Sequence, residues 1–200
     1  MRNIDIYKPP IENFVIWSGA YTIEECDQII QFGELAEFKD AGVGGGKNNP
    51  TRTDTSIRDT KIVWIQPTED AKWIFERMNT IVGRINFDKF QLDLDRFDGF
   101  QYSKYEVDGH YNWHTDTILN PEHPNKYRKL SFSLMLTNPE DYEGGDLMFN
   151  VAGDQNTGHA TKPKKGDLVA FYSHIPHKVA PVTSGTRLSL VTWALGKKLV

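Results

Sequence analysis

The chain has 200 residues, enough for one domain with a full hydrophobic core. Its hydrophobic share of 38% and charged share of 25% are ordinary for a globular protein, and a net charge of −4 with both signs interspersed argues against nucleic acid or an anionic membrane surface as partner. The single cysteine, Cys26, excludes an internal disulfide and suits a reducing compartment.

Residues 1–10 lack the apolar run of a signal peptide, and no stretch approaches the ~20 apolar residues of a membrane span. The expected location is therefore cytoplasmic. Thr22-Ile23-Glu24-Glu25 reads as a capping box. Ile23, Cys26, Ile29, Ile30 and Gly33 then recur at helical spacing, so an amphipathic helix is expected over 22–38, with Cys26 as a small buried hydrophobe. A second helix is expected over 68–84, burying Trp73, Ile74, Met78 and Ile81.

Between the helices, the glycine-rich run 41–52 lacks the Gly-Lys-Ser/Thr ending of a phosphate cradle. A lid or binding loop over 40–60 and a plain surface excursion both remain open. From Phe90 onward the pattern changes. Leu130, Phe132, Leu134 and Leu136 alternate with Ser131, Ser133, Met135 and Thr137, and strand-like runs follow at 100–106, 110–117, 145–151, 167–172 and 176–182. Many short strands separated by turns indicate an antiparallel barrel or jelly roll. The fold class expected is mainly β with flanking helices. Residues 1–200 are read as one domain, with helical support and a mobile loop over about 1–90 and the β core over about 90–198.

His114-Thr115-Asp116 is the informative local string. Residues two apart on a strand share a face, so an imidazole and a carboxylate can converge on one cation. Alone the pair is a weak signal, because such a histidine is usually one hydrogen-bonded to a nearby acid. A third ligand comes from Ser173-His174-Ile175-Pro176-His177, where His174 competes with His177 for the position. Two histidines and one carboxylate form the facial set used for non-haem iron(II), with positions left open for other ligands. Arg187, ten residues after His177, offers the planar fork that binds a carboxylate, and Ser189 shares its strand face. The turn 183–186 is expected to close a hairpin with His177 and Arg187 on adjacent strands. His110, His123 and His159 are read as loop or surface residues, with His110 a minor candidate for the pocket. Tyr111 and Trp113 are expected to pack against neighbouring strands.

Four ordered motifs resemble the prolyl 4-hydroxylase-like family of iron(II)/2-oxoglutarate-dependent dioxygenases. They are Tyr105 to Asp116, Pro139 to Leu147 with its Gly144-Gly145-Asp146-Leu147 turn, Lys165 to Ser173, and His177 to Arg187. The resemblance covers about residues 95–196. It implies a double-stranded β-helix with flanking helices, and a hydroxylation that consumes oxygen and 2-oxoglutarate and yields succinate and carbon dioxide. It also implies Fe(II) held by His114, Asp116 and His177, and Arg187 as partner of the distal carboxylate of 2-oxoglutarate. Tyr105, Ser189 and Trp193 fall at co-substrate or pocket-edge positions, and ascorbate enters as a possible accessory.

The chain lies nearer the arginine-bearing branch of that family than the lysine-bearing one. Where several relatives carry a hydroxyl on the strand 132–136, it is read as offering only Leu136. The substrate class implied is a proline in a peptide or protein, with a free amino acid or other small molecule as the alternative. The oligomeric state is not legible. Two other classes remain as contrasts: a non-enzymatic β-sandwich binding module, and a metal-dependent isomerase or hydrolase on a similar barrel.

Overall fold

The computed structural model describes residues 13–44, 51–117, 126–150 and 158–197. Gly45 to Pro50 and His123 lie outside the described residues. The first strand, β1 (Phe14–Trp17), precedes α1 (Ile23–Glu34). The capping box closes α1 as the sequence indicates: Glu25 N–H donates to Thr22 Oγ1 at 3.2 Å and Thr22 N–H to Glu25 Oε2 at 2.8 Å. The helix stops at Glu34 rather than running to 38. Residues 34–37 are all exposed, so nothing holds a further turn against the protein.

Short strands follow where a loop was expected: β2 (Lys39–Asp40), β3 (Gly42–Val43), β4 (Arg52–Thr53) and β5 (Arg58–Asp59). They lead into β6 (Lys61–Ile65), which with β1 corrects the reading of the first third as helical. Both are too short to show a period of their own. They are strands because the segments Leu168–Tyr172 and Arg96–Tyr105 supply their hydrogen-bonding edges. The second helix, α2 (Lys72–Ile85), starts four residues later than expected, after a turn in which Ala71 N–H bonds Thr68 O, and runs into a π-helical turn at Asn86–Phe90.

The remaining strands are β7 (Arg96–Tyr105), β8 (His110–His114), β9 (Lys126–Met135), β10 (Tyr142–Gly144), β11 (Leu147–Phe149) and β12 (His159–Thr161). After them come β13 (Leu168–Tyr172), β14 (His177–Val179), β15 (Val182–Gly185) and β16 (Arg187–Lys197). They form a seven-stranded sheet in the order β1-β13-β9-β16-β7-β6-β2 and a five-stranded sheet in the order β12-β11-β14-β8-β5, antiparallel throughout. From β7 to β16 the chain passes back and forth between the two sheets, the path of a double-stranded β-helix.

Period-two alternation gives the large sheet two different faces. Phe100, Tyr102, Leu130, Phe132, Leu134, Leu168, Ala170 and Leu190 join Cys26, Ile29, Ile74, Met78 and Val82 in a core under the helices. The opposite face looks toward the small sheet and a second apolar cluster that includes Leu147, Phe149, Phe171 and Val179. Among the described residues no helix is long and apolar enough to cross a membrane.

Candidate metal centre and its cavity

His114 and His177 are cross-strand partners on β8 and β14, which puts two imidazoles side by side with ring centres 4.1 Å apart. Asp116 lies beyond the end of β8, not on the strand with His114, and is fixed by its own N–H bonding Ser173 O at 2.8 Å. Its carboxylate reaches both rings, Oδ1 at 3.6 Å from His114 Nε2 and Oδ2 at 3.4 Å from His177 Nε2. One ligand atom from each of the three residues falls within 4.8 Å of the others.

The hydrogen bonds behind these atoms orient them. His114 Nδ1 sits 2.8 Å from Asn112 O and His177 Nδ1 2.9 Å from Ile175 O. Each carbonyl can only accept, so the proton lies on Nδ1 and the Nε2 lone pair is left for a cation. Ser131 Oγ donates to Asp116 Oδ2 at 2.7 Å and lies 2.9 Å from Ser173 Oγ, tying the carboxylate to β9 and to the end of β13.

Burial, with His177 close by, holds His114 below the usual histidine range against the pull of Asp116. Burial alone would raise Asp116, but the two histidines, Arg128 and the Ser131 hydroxyl outweigh it and keep the carboxyl low. Two neutral imidazoles and one carboxylate are the donor set that suits a divalent first-row metal with open positions, and a closed structural zinc site needs a fourth protein ligand. The residues therefore fit iron(II).

Aromatic rings wall the centre. Tyr111 stacks on His114 with ring centres 3.5 Å apart, and Phe171 meets His177 edge-on at 4.6 Å. Tyr111 thus lines the cavity, correcting its expected role as packing between strands. Burial pushes its phenol up to about 12, so it is uncharged.

The cavity, about 910 Å³, runs from this centre to Arg187 on the large sheet. Arg187 and His177 are not on adjacent strands of one hairpin. After Pro181 the chain forms β15, which pairs with β10, and only then enters β16 in the other sheet. The two side chains face each other across the β-helix, which suits a ligand gripped at both ends.

Arg187 is 1% exposed. Its Nη1 donates to Ser189 Oγ at 3.2 Å, Nη2 approaches Met135 Sδ at 3.4 Å, and Nε has no hydrogen-bond partner among the described residues. Tyr105, its cross-strand partner, lies 5.2 Å from the guanidinium. Among the described residues no carboxylate pairs with Arg187. A buried guanidinium with an unpaired charge is costly, and the cost is relieved by an anionic ligand.

Gly144 and Gly145 both have left-handed φ, +68° and +62°, and a Cβ on Gly145 would stand 3.1 Å from Arg187 Cδ. The Gly-Gly turn is therefore the wall against which Arg187 lies. The hydroxyl thought missing from β9 is present: Leu130, Phe132, Leu134 and Leu136 turn to the helices, while Ser131, Ser133 and Met135 face the cavity side.

His174 is exposed and stacks beside Tyr172, so His177 holds the second histidine position. His159 is exposed against Phe14, and His110 bonds the backbone of Asp108 away from the cavity. Trp193 lines the cavity edge beneath Arg128, whose Cζ lies 3.7 Å from the ring centre, and its buried Nε1 has no partner among the described residues. Sequence reasoning missed Arg58, Gln101, Arg128, Ser131 and Ser173. Only the alternation along β9 carried a signal, for Ser131; the others reach the site through tertiary pairing.

Residues 100–195 match the family described as the 2OG-Fe(II) oxygenase superfamily. A PKHD-type hydroxylase of Psychrobacter sp. (strain PRwf-1) is 41% identical over 96 residues, which are 46% of this chain and 36% of that protein. The chain thus matches little over a third of that relative's length. A prolyl-4-hydroxylase from Pseudomonas putida superposes with a TM-score of 0.68 at 23% identity over 94% of each chain. A prolyl hydroxylase from Trichoplax adhaerens, in complex with a hypoxia inducible factor peptide fragment, gives 0.68 at 19% identity over 91% of this chain and 83% of its own. These two likenesses show the fold. The matched segment, just under half of the chain, carries His114, Asp116, His177 and Arg187, and it is this segment that is similar to the 2OG-Fe(II) oxygenase superfamily.

Proposed function

We propose that this protein is an iron(II)- and 2-oxoglutarate-dependent dioxygenase that hydroxylates a carbon centre in a peptide or protein, with a prolyl residue as the leading substrate. The observation that carries the reading is one cavity with a three-ligand centre at one end and a buried, carboxylate-free Arg187 at the other. A dicarboxylate that chelates a metal through one end and needs a cation at the other matches both. The similarity to a PKHD-type hydroxylase and to prolyl hydroxylases supports the hydroxylase class and a prolyl substrate.

Bound iron(II) supplies the activation of oxygen, coupled to oxidative decarboxylation of 2-oxoglutarate. His114 and His177 present Nε2 to the metal because their Nδ1 protons are committed to backbone carbonyls. Asp116 contributes its negative charge, and Ser131 restrains its second oxygen. Arg187, with Ser189 beside it, takes the distal carboxylate through a charge-assisted fork. Phe171, Tyr111 and Leu147 exclude water around the reacting positions.

The test is succinate formation from 2-oxoglutarate by the iron-loaded protein, with His114→Ala as control. Succinate that disappears in the variant supports the reading. Equal silence of both proteins, with iron bound and prolyl peptides supplied, would falsify it and favour a binding module.

A further inference from the structure

Three arginines line the cavity, and their charges are not equally spent. Arg187 faces the co-substrate end. Arg128 is neutralised by Asp98, with Nε donating to Oδ2 at 2.7 Å. Arg58 has only neutral partners among the described residues. Its Nη2 donates to Gln101 Oε1 at 2.7 Å, Nη1 to Gly42 O at 3.4 Å, and its Nε is buried without a partner. The guanidinium lies on the Tyr111 ring, 4.6 Å from its centre, so its plane and position are set before any ligand arrives.

The stacking also sets a distance. His114 occupies one face of Tyr111 at 3.5 Å, which leaves Arg58 the other face. Laid end to end, the two contacts put the guanidinium roughly 8 Å from the His114 ring, with the phenol between them. A carboxylate on Arg58 is therefore two to three residues along an extended chain from a group held at the metal centre, at ~3.3–3.6 Å per residue. The carboxylate of a free amino acid lies within about 4 Å of its own side-chain carbons and falls short. A cavity of about 910 Å³ sits near the top of the ~300–1,000 Å³ range of ligand pockets, leaving room for a stretch of peptide beside a dicarboxylate.

We propose that Arg58 is a specificity-determining residue that binds a carboxylate of the peptide substrate two or three residues from the residue presented to the metal centre. This rests on the dioxygenase reading above and selects peptides over free amino acids within it. The carboxylate is an aspartate or glutamate side chain or a chain terminus, which share the fork geometry that Arg58 offers.

The experiment measures binding of short fluorescent peptides with one central proline to the full chain loaded with manganese(II) and 2-oxoglutarate without oxygen. Glutamate two or three residues to either side of the proline is compared with glutamine at the same place. A second arm compares a free C-terminal carboxylate with its amide at that spacing. The expected result is binding tighter by about tenfold or more for one acidic placement. That ratio falls to near one in Arg58→Gln and is partly kept in Arg58→Lys. Which arm discriminates identifies the source of the carboxylate. Equal binding of charged and neutral peptides at every spacing, no binding of any of them, or a ratio unchanged in Arg58→Gln, overturns the proposal. Loss of the dioxygenase reading is a separate result, the absence of His114-dependent succinate from 2-oxoglutarate.

Discussion

The two faces of the seven-stranded sheet are made by the same strands and do opposite things. Under the helices β9 sets Leu130, Phe132 and Leu134, Leu136 follows just past its end, and β16 sets Leu190 and Ala194, all in one apolar core. One residue along, the same strands turn Ser131, Ser133 and Met135, then Arg187, Ser189 and Trp193, toward the cavity. The first face is stable because it is dry and apolar. The second contains, among the described residues, a cation without a carboxylate and an indole N–H without an acceptor, costs that a ligand relieves. Stability is thus concentrated on one face and ligand demand on the other, at a separation of one residue.

The comparison is broken most directly at Arg187. Arg187→Met removes a buried charge and keeps much of its volume, so KM for 2-oxoglutarate is expected to rise about a hundredfold or more, from the roughly 2–5 kcal/mol that a buried charged pair loses when one partner goes. The thermal midpoint without ligand stays level or rises, because the unpaired charge is gone. A large fall in the midpoint with unchanged KM would mean that Arg187 is structural.

Leu134→Ala asks the converse. Deleting a fully buried leucine from the helix-side core is expected to cost about 2–5 kcal/mol in urea unfolding while the folded fraction keeps its KM for 2-oxoglutarate. Its neighbour Ser133, on the cavity side and with no side-chain hydrogen bond among the described residues, should lose under ~1 kcal/mol as Ser133→Ala. Equal losses at the two positions would show that the faces do not differ in this way.

Acid probes the cavity face through His114 and Asp116. His114 is held below its reference value of 6.5, so the unfolded chain binds the extra proton first and stability of the metal-free protein falls as pH drops below about 6.5. Asp116, also held low, adds a loss as pH falls below its reference value of 3.8. The urea midpoint should fall steadily from pH 7 to 4, and His114→Gln should flatten the upper part of that slope. A midpoint that rises on acidification contradicts the environment described for His114.

Much of this was legible before the structure, for reasons that can be named. Period-two alternation exposed β9, and the capping box fixed the start of α1 to the residue. The spacing of His114, Asp116, His177 and Arg187 indicated a metal centre with a carboxylate partner, and the structure gathers those side chains around one cavity. What stayed hidden depends on pairing between distant segments. The strand β6 has five residues and no pattern apart from its partner β7. The hairpin expected at 183–186 failed because β15 pairs with β10, about forty residues earlier in the chain. Arg58 lies on a two-residue strand that reaches the site by pairing with β8.

The smallest effects sharpen the helix side. In α1, Gly33 lies where a Cβ would stand 2.5 Å from the Tyr102 ring, and Tyr102 is fully buried with its hydroxyl bonded to Glu34 at 2.9 Å. Neither ring nor helix can give way easily, so Gly33→Ala is expected to destabilise by about 1–3 kcal/mol despite alanine's higher helix propensity. In α2, Gly83 has nothing within 4 Å of the same position. There propensity acts unopposed, and Gly83→Ala should stabilise by about 0.5–1 kcal/mol. The pair has opposite predicted signs in one urea titration, although both residues are glycines in amphipathic helices of the same layer. If both substitutions stabilise, α1 does not seat on Tyr102 as closely as described, and the sheet face beneath it is less tightly packed than the distances indicate.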